Sequence, residues 1–421
     1  MEFTVSPIDS LSGGVVAPAS KSYTIRAVLS GLLAEGTSTI RSPLVSRDTE
    51  AAFNACSAFG GGLRREGDVM LIEGTGGDVK APGGVVDTLN SGTTIRISTA
   101  IASLCDTEVK LTGDESIQRR PIKPLLDALS QLGVKSTSKN GCPPLSVRGP
   151  IEGGACSIPG NVSSQFITAV IMAAPYAREE VVVNVTTPLK SRPYVDLTLN
   201  MLGLFGVDVM NDDYRTFNVP LQAYKGADYT VEGDYSSAAF ILAAAALTKS
   251  DVMVSNLFRD SLQADKRVLE IISQMGAKVT SAADSVRVTS DGRLSGVKVD
   301  LSDSPDLVPI VSVLGALASG RTEIVNAAHA RLKECDRIKA MATELAKMGA
   351  KIQEREDGLL IEGGALHGAN VEGWLDHRII MSLAVAGFRA QGKTVISGSE
   401  HVDVTFPNFK QSMNGLGARI A

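Results

Sequence analysis

Pro18-Ala19-Ser20-Lys21-Ser22-Tyr23-Thr24-Ile25-Arg26 closes a loop at Ser20 and opens a helix whose apolar positions are Ile25, Val28, Leu29, Leu32 and Leu33. Lys21, Ser22 and Arg26 fall on its opening turns, where unpaired backbone N–H groups and the helix dipole favour an anion. Two cations and a hydroxyl at such an end suit a phosphate or a carboxylate. A solvated, capped helix start would read the same way. The rest of the chain bears on the choice, because it repeats the arrangement.

A small or polar start, an apolar helix and a β-rich run recur at Ser20-Lys21-Ser22, Ser91-Gly92-Thr93, Ser163-Ser164-Gln165, Ser236-Ser237-Ala238, Pro305-Asp306-Leu307 and Asp376-His377-Arg378. The intervals between successive starts are 71, 72, 73, 69 and 71 residues, a regularity that marks an internal repeat. A second, amphipathic helix alternates with the first. Its copies end at Phe59-Gly60, Leu132-Gly133, Phe205-Gly206, Met275-Gly276, Met348-Gly349 and Leu416-Gly417, each glycine suiting the left-handed residue that closes a helix. Pro121, Pro193 and Pro407 sit near three of the starts, where a missing N–H costs little. A strand-like pair follows each glycine, as in Ala350-Lys351-Ile352-Gln353 and Gly358-Leu359-Leu360-Ile361.

Each unit therefore reads helix, strand, helix, strand, strand. The sixth stops at Ala421 before its hairpin, while Glu2 to Ala17 offers strand-like residues ahead of the first unit. The N-terminus is expected to complete unit six. Residues 19–230 then form a domain of units one to three, and residues 1–18 with 231–421 form a domain of units four to six. Two short crossings, near Ala17–Ser20 and Asp228–Gly233, connect them.

The composition fits this picture. The 421 residues allow two substantial cores, and 44% hydrophobic residues with 21% charged and a net charge of −5 describe a globular chain. The balance is not basic enough to suggest a nucleic-acid partner, and 5% aromatics argue against a base-stacking platform. The richest apolar run, Ala238 to Leu247, is too short for a membrane span, and Met1-Glu2-Phe3-Thr4-Val5 lacks the features of a signal peptide. Five scattered cysteines without a CxxC suggest a reducing cytoplasm and no structural zinc.

If the units are related by rotation, three first-helix N-termini per domain converge, a surface suited to an anionic ligand. The polar groups there are Lys21, Ser22 and Arg26; Ser91, Gly92 and Thr93; Ser163, Ser164 and Gln165; Asp306; and His377 and Arg378. The loops entering the second helices add Arg119-Arg120-Pro121, Ser191-Arg192-Pro193-Tyr194 and the dense Arg331-Leu332-Lys333-Glu334-Cys335-Asp336-Arg337. That last run also reads as a salt-bridged helix start, with Asp336 as its cap. Asn90-Ser91-Gly92-Thr93 lacks both the Walker spacing and the Rossmann fingerprint, so no nucleotide site follows from it. Asp376-His377-Arg378 has neither a serine elbow nor a matching metal ligand, which leaves a positioned arginine as the simpler role.

These motifs, in this order, resemble the 5-enolpyruvylshikimate-3-phosphate synthases, members of the enolpyruvyl transferase family. The resemblance runs nearly end to end. It rests on Lys21-Ser22-x3-Arg26, Asn90-Ser91-Gly92-Thr93, Arg120-Pro121-Ile122, Ser163-Ser164-Gln165-Phe166, Val231-Glu232-Gly233-Asp234, Leu332-Lys333-Glu334-x-Asp336-Arg337, Asp376-His377-Arg378 and Thr405-Phe406-Pro407. It implies an α/β fold, a two-domain inside-out α/β barrel of six βαβαββ units, three per domain. It also implies transfer of the enolpyruvyl group of phosphoenolpyruvate to the 5-hydroxyl of shikimate 3-phosphate, with release of phosphate, on the route to chorismate and the aromatic amino acids.

By the same resemblance, shikimate 3-phosphate is held by Lys21, Ser22, Arg26, Ser163, Ser164, Gln165, Ser191, Tyr194, Asp306 and Lys333. Phosphoenolpyruvate meets Lys21, Gly92, Arg120, Gln165, Arg337 and Arg378. Glu334 is the expected proton donor and Asp306 the expected acceptor, with Lys21 as a third catalytic group. Arginine forks suit carboxylate and phosphate, and Gly92 lets a backbone N–H approach without a Cβ. Neither metal nor organic cofactor is required, and the partners are the two small substrates of a monomeric, cytoplasmic enzyme.

Two other readings remain at this stage. The UDP-N-acetylglucosamine enolpyruvyl transferases share the fold but typically carry Lys-Asn where this chain has Lys21-Ser22. They also usually carry a loop cysteine where it has Glu115. A non-catalytic anion-binding repeat protein would need the helix-end cations but not Asp306 and Glu334. Two departures from the resembled pattern stand out: Val404 replaces a frequent lysine before Thr405-Phe406-Pro407, and His329 replaces an asparagine.

Overall fold

The computed structural model describes residues 1–421. Twelve α-helices alternate in kind along the chain. They are α1 (Lys21–Leu33), α2 (Arg47–Ala58), α3 (Gly92–Ala102), α4 (Lys123–Gln131), α5 (Ser164–Ala173), α6 (Arg192–Leu204), α7 (Tyr235–Leu247), α8 (Val268–Met275), α9 (Val308–Leu317), α10 (Arg337–Lys347), α11 (His377–Gly387) and α12 (Phe409–Gly415). The odd-numbered helices are central and largely apolar, with their charged residues near the N-terminal ends; every residue of α3, α7 and α11 is buried. The even-numbered ones are amphipathic. In α8, Val268, Ile271, Ile272 and Met275 are buried at helical spacing while the other face stays open to water.

The glycines that close the even-numbered helices behave as their position requires. Gly60, Gly133, Gly206, Gly276, Gly349 and Gly417 all have positive φ, between 76° and 118°. A left-handed residue turns the chain into a hairpin at each site, and a side chain there would be strained.

Five sheets are four-stranded and share one order, with the opening strand parallel to the strand after the first helix and a hairpin completing the other side. In unit five, Lys298–Asp300 runs parallel to Arg321–Val325, which pairs antiparallel with Gly358–Glu362 and through it with Lys351–Arg355. Such sheets bury one face against their helices, as the βαβαββ unit demands.

The chain ends complete other units' sheets. Glu2–Val5 pairs antiparallel with Thr394–Ser397 in unit six, and Val5 bridges Ile420. Thr4 and Ala421 exchange two backbone hydrogen bonds, so the missing hairpin is assembled from both termini. Ser10–Val16 does something the sequence did not disclose: it opens the sheet of unit four, parallel to Lys249–Ser255. Asp228–Thr230 likewise opens unit one, beside Thr39–Arg41. Pro7, which has no N–H to donate, separates the two N-terminal strands that read as one stretch.

The repeat starts need two corrections. Asp234, not Ser236, caps α7, its carboxylate accepting from the Ser236 and Ser237 amides, so the helix begins two residues early. Pro305-Asp306-Leu307 is a 3-10 turn that precedes α9, because Pro309 supplies no N–H within the first α-turn.

By contacts the chain divides into two compact units, one of Ala19–Val231 and the other of Met1–Pro18 with Glu232–Ala421. Each has its own apolar core, centred on α1, α3 and α5 in the first and on α7, α9 and α11 in the second. All five cysteines are unpaired thiols, and no helix is long and apolar enough to cross a membrane.

Candidate active site

In the unit containing the C-terminus, the repeat ends assemble around Arg337, the first residue of α10, whose side chain is 1% exposed. Its guanidinium donates on three sides: Nη1 to Asp306 Oδ1 at 2.7 Å, Nη2 to Glu334 Oε2 at 2.6 Å, and Nε to Asp376 Oδ2 at 2.8 Å. Asp376 caps α11 and is itself fully buried, so it fixes the arginine to the neighbouring helix end. Three carboxylates hold Arg337 charged against the burial that would otherwise strip its proton. Breaking one such buried pair costs about 3–5 kcal/mol, so this arrangement is rigid.

Asp306 is shared. Its other oxygen meets Arg378 Nη2 at 3.0 Å, and Lys333 Nζ lies 3.5 Å from Oδ1. The expected group of Asp306, Lys333, Glu334, Arg337 and Arg378 is thus one cluster. Three cations face three carboxylates when Asp376 is included. Asp306 and Glu334 keep 15% and 10% of their side chains exposed, whereas Asp376 keeps none. The first two are therefore open to a ligand, and the third serves as an anchor.

In the unit Ala19–Val231, Ser20 caps α1 and Lys21 pairs with Asp48 at 2.9 Å. Arg26 is fully buried and held only by neutral oxygens. It donates to Thr198 Oγ1 at 2.8 Å, the Ser22 carbonyl at 3.0 Å and the Tyr194 carbonyl at 3.4 Å. Burial without a carboxylate pulls its pKa down to about 10. A buried cation lacking a counter-ion favours an incoming anion.

Ser91 caps α3, and Gly92 follows in its first turn. A Cβ on Gly92 would lie 2.5 Å from Arg120 Nη1 and 2.8 Å from Arg96 Nη1. A side chain there would have to displace one or both of these guanidinium groups from that backbone. Ser163 caps α5, and Gln165 reaches Thr93 Oγ1 at 3.1 Å. Ser164 is buried in the first turn of α5, and Ser191 opens α6 with φ of 57°. Ser22 contributes its carbonyl to Arg26, so its hydroxyl is not what orients that cation.

Four groups escaped the sequence reading. Arg96 back-bonds to the Gly92 carbonyl at 2.7 Å and lies over the Phe166 ring at 5.4 Å. Its signal was present, because Arg26 back-bonds to Ser22 with the same spacing of four. Asp376 anchors Arg337, Asp48 pairs with Lys21, and Asp265 lies buried next to the cluster. No local motif marks Asp48 or Asp265, and the Asp376-His377-Arg378 motif gives no sign that its aspartate anchors Arg337. Val404 is buried at the end of a 3-10 helix, and His329 is buried as well.

The fold and the two sets of helix-end cations define an anion-handling α/β enzyme built from six related units, with a pair of partly exposed carboxylates on one buried arginine. Residues 5–413 match the family model for EPSP synthase (3-phosphoshikimate 1-carboxyvinyltransferase). A curated 3-phosphoshikimate 1-carboxyvinyltransferase of Methanothermobacter thermautotrophicus is 49% identical over 425 residues, covering 100% of this chain and 99% of that protein. The protein of that name from Halobacterium salinarum is 46% identical over 427 residues, with 99% of each covered. The solved EPSP synthase of Acinetobacter baumannii superposes with a TM-score of 0.84 at 29% identity, covering 100% of this chain and 99% of its own. The chain belongs to the EPSP synthase family. Neither the nucleotide-sugar alternative nor a non-catalytic repeat protein finds support in these relatives.

Proposed function

We propose that the protein transfers the enolpyruvyl group of phosphoenolpyruvate to the 5-hydroxyl of shikimate 3-phosphate and releases inorganic phosphate. The observation that carries this reading is the sharing of one buried guanidinium by Asp306 and Glu334. Two carboxylates on adjacent arms of a fork reach a single substrate, one to take a proton and one to give it.

Phosphoenolpyruvate is assigned to Lys21, Gly92, Arg120, Gln165, Arg337 and Arg378. Shikimate 3-phosphate is assigned to Lys21, Ser22, Arg26, Ser163, Ser164, Gln165, Ser191, Tyr194, Asp306 and Lys333. The uncompensated charge of Arg26 and the guanidinium pair over Gly92 support these assignments. Glu334 in its acid form frees one arm of Arg337 for the anionic substrate and gives its proton to the methylene carbon. The 5-hydroxyl oxygen attacks the neighbouring carbon while Asp306 accepts the hydroxyl proton. Glu334 then takes a proton back from the methyl group, the carbon–oxygen bond to phosphate breaks as the departing oxygen receives the proton held by Asp306, and the double bond reforms. The cations around the phosphate stabilise the leaving charge, Lys21 among them. No step needs a metal or an organic cofactor. The reading is that of a cytoplasmic monomer whose partners are these two small molecules, with no nucleic acid.

Replacing the acid tests the mechanism. Glu334→Gln keeps the shape and one acceptor for Arg337 but has no proton to give. Turnover should fall at least about a hundredfold, the usual scale for a general acid–base group, with little change in shikimate 3-phosphate affinity. Near-normal phosphate release in this variant would remove Glu334 from the proton transfers.

A further inference from the structure

Trp374, the only tryptophan in the chain, and Leu375 are consecutive residues in the left-handed region, with φ of 53° and 55°. Neither residue type favours that region, and two in a row must be held by their surroundings. Leu375 is 53% exposed, so its own packing does not supply the hold. Gly373, just before, is pinned: a Cβ there would meet Ile380 Cγ1 of α11 at 2.4 Å and the Ser397 carbonyl at 2.5 Å. Asp376 follows immediately and Arg378 two residues later.

Glu344 supplies what Leu375 does not. It is fully buried on α10, and its oxygens take the Trp374 indole N–H at 2.8 Å and the Glu372 amide at 2.9 Å, one donor on each side of Gly373. Lys347 neutralises the carboxylate at 2.8 Å. Glu344 lies seven residues beyond Arg337, two turns along α10 on the same face. One helix therefore holds the segment Glu372–Asp376 at both ends and in the middle, through Glu344 to Glu372 and Trp374 and through Arg337 to Asp376.

We propose that Glu344 and Trp374 form a clamp that keeps this strained segment wound and so aims Arg378 at phosphoenolpyruvate; both are positioning residues. The inference rests on the reading above that Arg337 and Arg378 bind that substrate. Without the clamp, the two left-handed residues relax toward extended backbone and the start of α11 shifts. A displacement of an ångström is enough to spoil a charged fork on its ligand.

The test uses the full chain, with phosphate release measured while each substrate is varied separately. Trp374→Phe keeps an aromatic ring but deletes the N–H together with part of the indole's volume. Glu344→Gln keeps one acceptor but turns an N–H₂ group toward the donors. Arg378→Lys reports whether the arginine binds phosphoenolpyruvate at all. The expected result is a roughly three- to tenfold rise in the KM for phosphoenolpyruvate in both clamp variants, larger in Glu344→Gln. The KM for shikimate 3-phosphate and kcat should stay within about twofold. An unchanged phosphoenolpyruvate KM in both, alongside a raised one in Arg378→Lys, overturns the clamp and leaves the substrate assignment standing. A fall in kcat or an equal rise in both KM values also overturns it, because general loosening of the fold does not select one substrate. An unchanged KM in Arg378→Lys overturns the arginine assignment and the clamp's role with it.

Discussion

Asp265 accepts the Ser236 hydroxyl at 2.5 Å through one oxygen, while its other oxygen is buried without a hydrogen bond. Burial, reinforced by the nearby charges of Asp306 and Asp234 and opposed by Arg378, pushes its pKa from 3.8 up to about 7. The folded protein then holds a proton that the unfolded chain has lost, so this residue makes stability fall as pH rises between about 4 and 7. Above that window the folded carboxylate is charged as well, and the dependence ends. Asp265→Asn imitates the protonated acid, and its unfolding free energy without substrates should fall less across the window and exceed that of the parent at pH 8. Denaturant titrations at pH 5 and 8 decide this, and parallel losses in both proteins would refute it. Asp265 was invisible in the sequence for a physical reason: Ala264-Asp265-Lys266-Arg267 looks like a charged surface turn, and only the fold buries its one acid.

Helix ends divide into those that shape the chain and those that face ligand, and a matched pair of substitutions separates them. Gly276 closes α8 at φ 118°, and an added Cβ would find only the Arg293 carbonyl at 3.5 Å. Gly276→Ala should therefore lower stability by about 1–2 kcal/mol through backbone strain alone, leaving substrate affinity intact. Gly92 has ordinary backbone angles but no room, since Arg120 and Arg96 occupy the space. Gly92→Ala should move those guanidinium groups and raise the KM for phosphoenolpyruvate severalfold with little loss of stability. Thermal melts and steady-state kinetics on the two variants give opposite patterns if this division holds. The closing glycines were legible because a left-handed cap admits few other residues. The 3-10 turn at Pro305 and the early start of α7 at Asp234 were less so, since several small polar residues cluster at each start. Ser10–Val16 was obscured by Gly13 and Gly14, which weaken any strand reading until the partner Lys249–Ser255 is known. The arginine cluster was half legible: Asp306, Glu334 and Arg378 stood in motifs, but the anchoring role of Asp376 depends on helices 39 residues apart in sequence.

At the scale of the molecule, the unit Ala19–Val231 is one continuous segment, whereas its companion is gathered from both ends of the chain. The six-fold period was readable from spacing alone, but the exchange of opening strands was not, because a parallel strand can come from any distance along the chain. Thr4 and Ala421 are hydrogen-bonded neighbours. A permuted chain that starts at Glu232, joins Ala421 to Met1 by a short linker and ends at Val231 should keep the circular dichroism and the activity of the parent. Loss of both would mean that the natural termini matter for more than their pairing. The order of synthesis gives the arrangement a further meaning. Glu2–Val5 and Ser10–Val16 leave the ribosome first, yet their partners at Thr394–Ser397 and Lys249–Ser255 are made hundreds of residues later. The nascent chain thus carries two unpaired strands past the folding of an entire unit. In the permuted chain both strands emerge after their partners, Glu2–Val5 soon after Thr394–Ser397, so neither waits unpaired for a partner still to be made, and its yield on translation without chaperones should exceed that of the natural order.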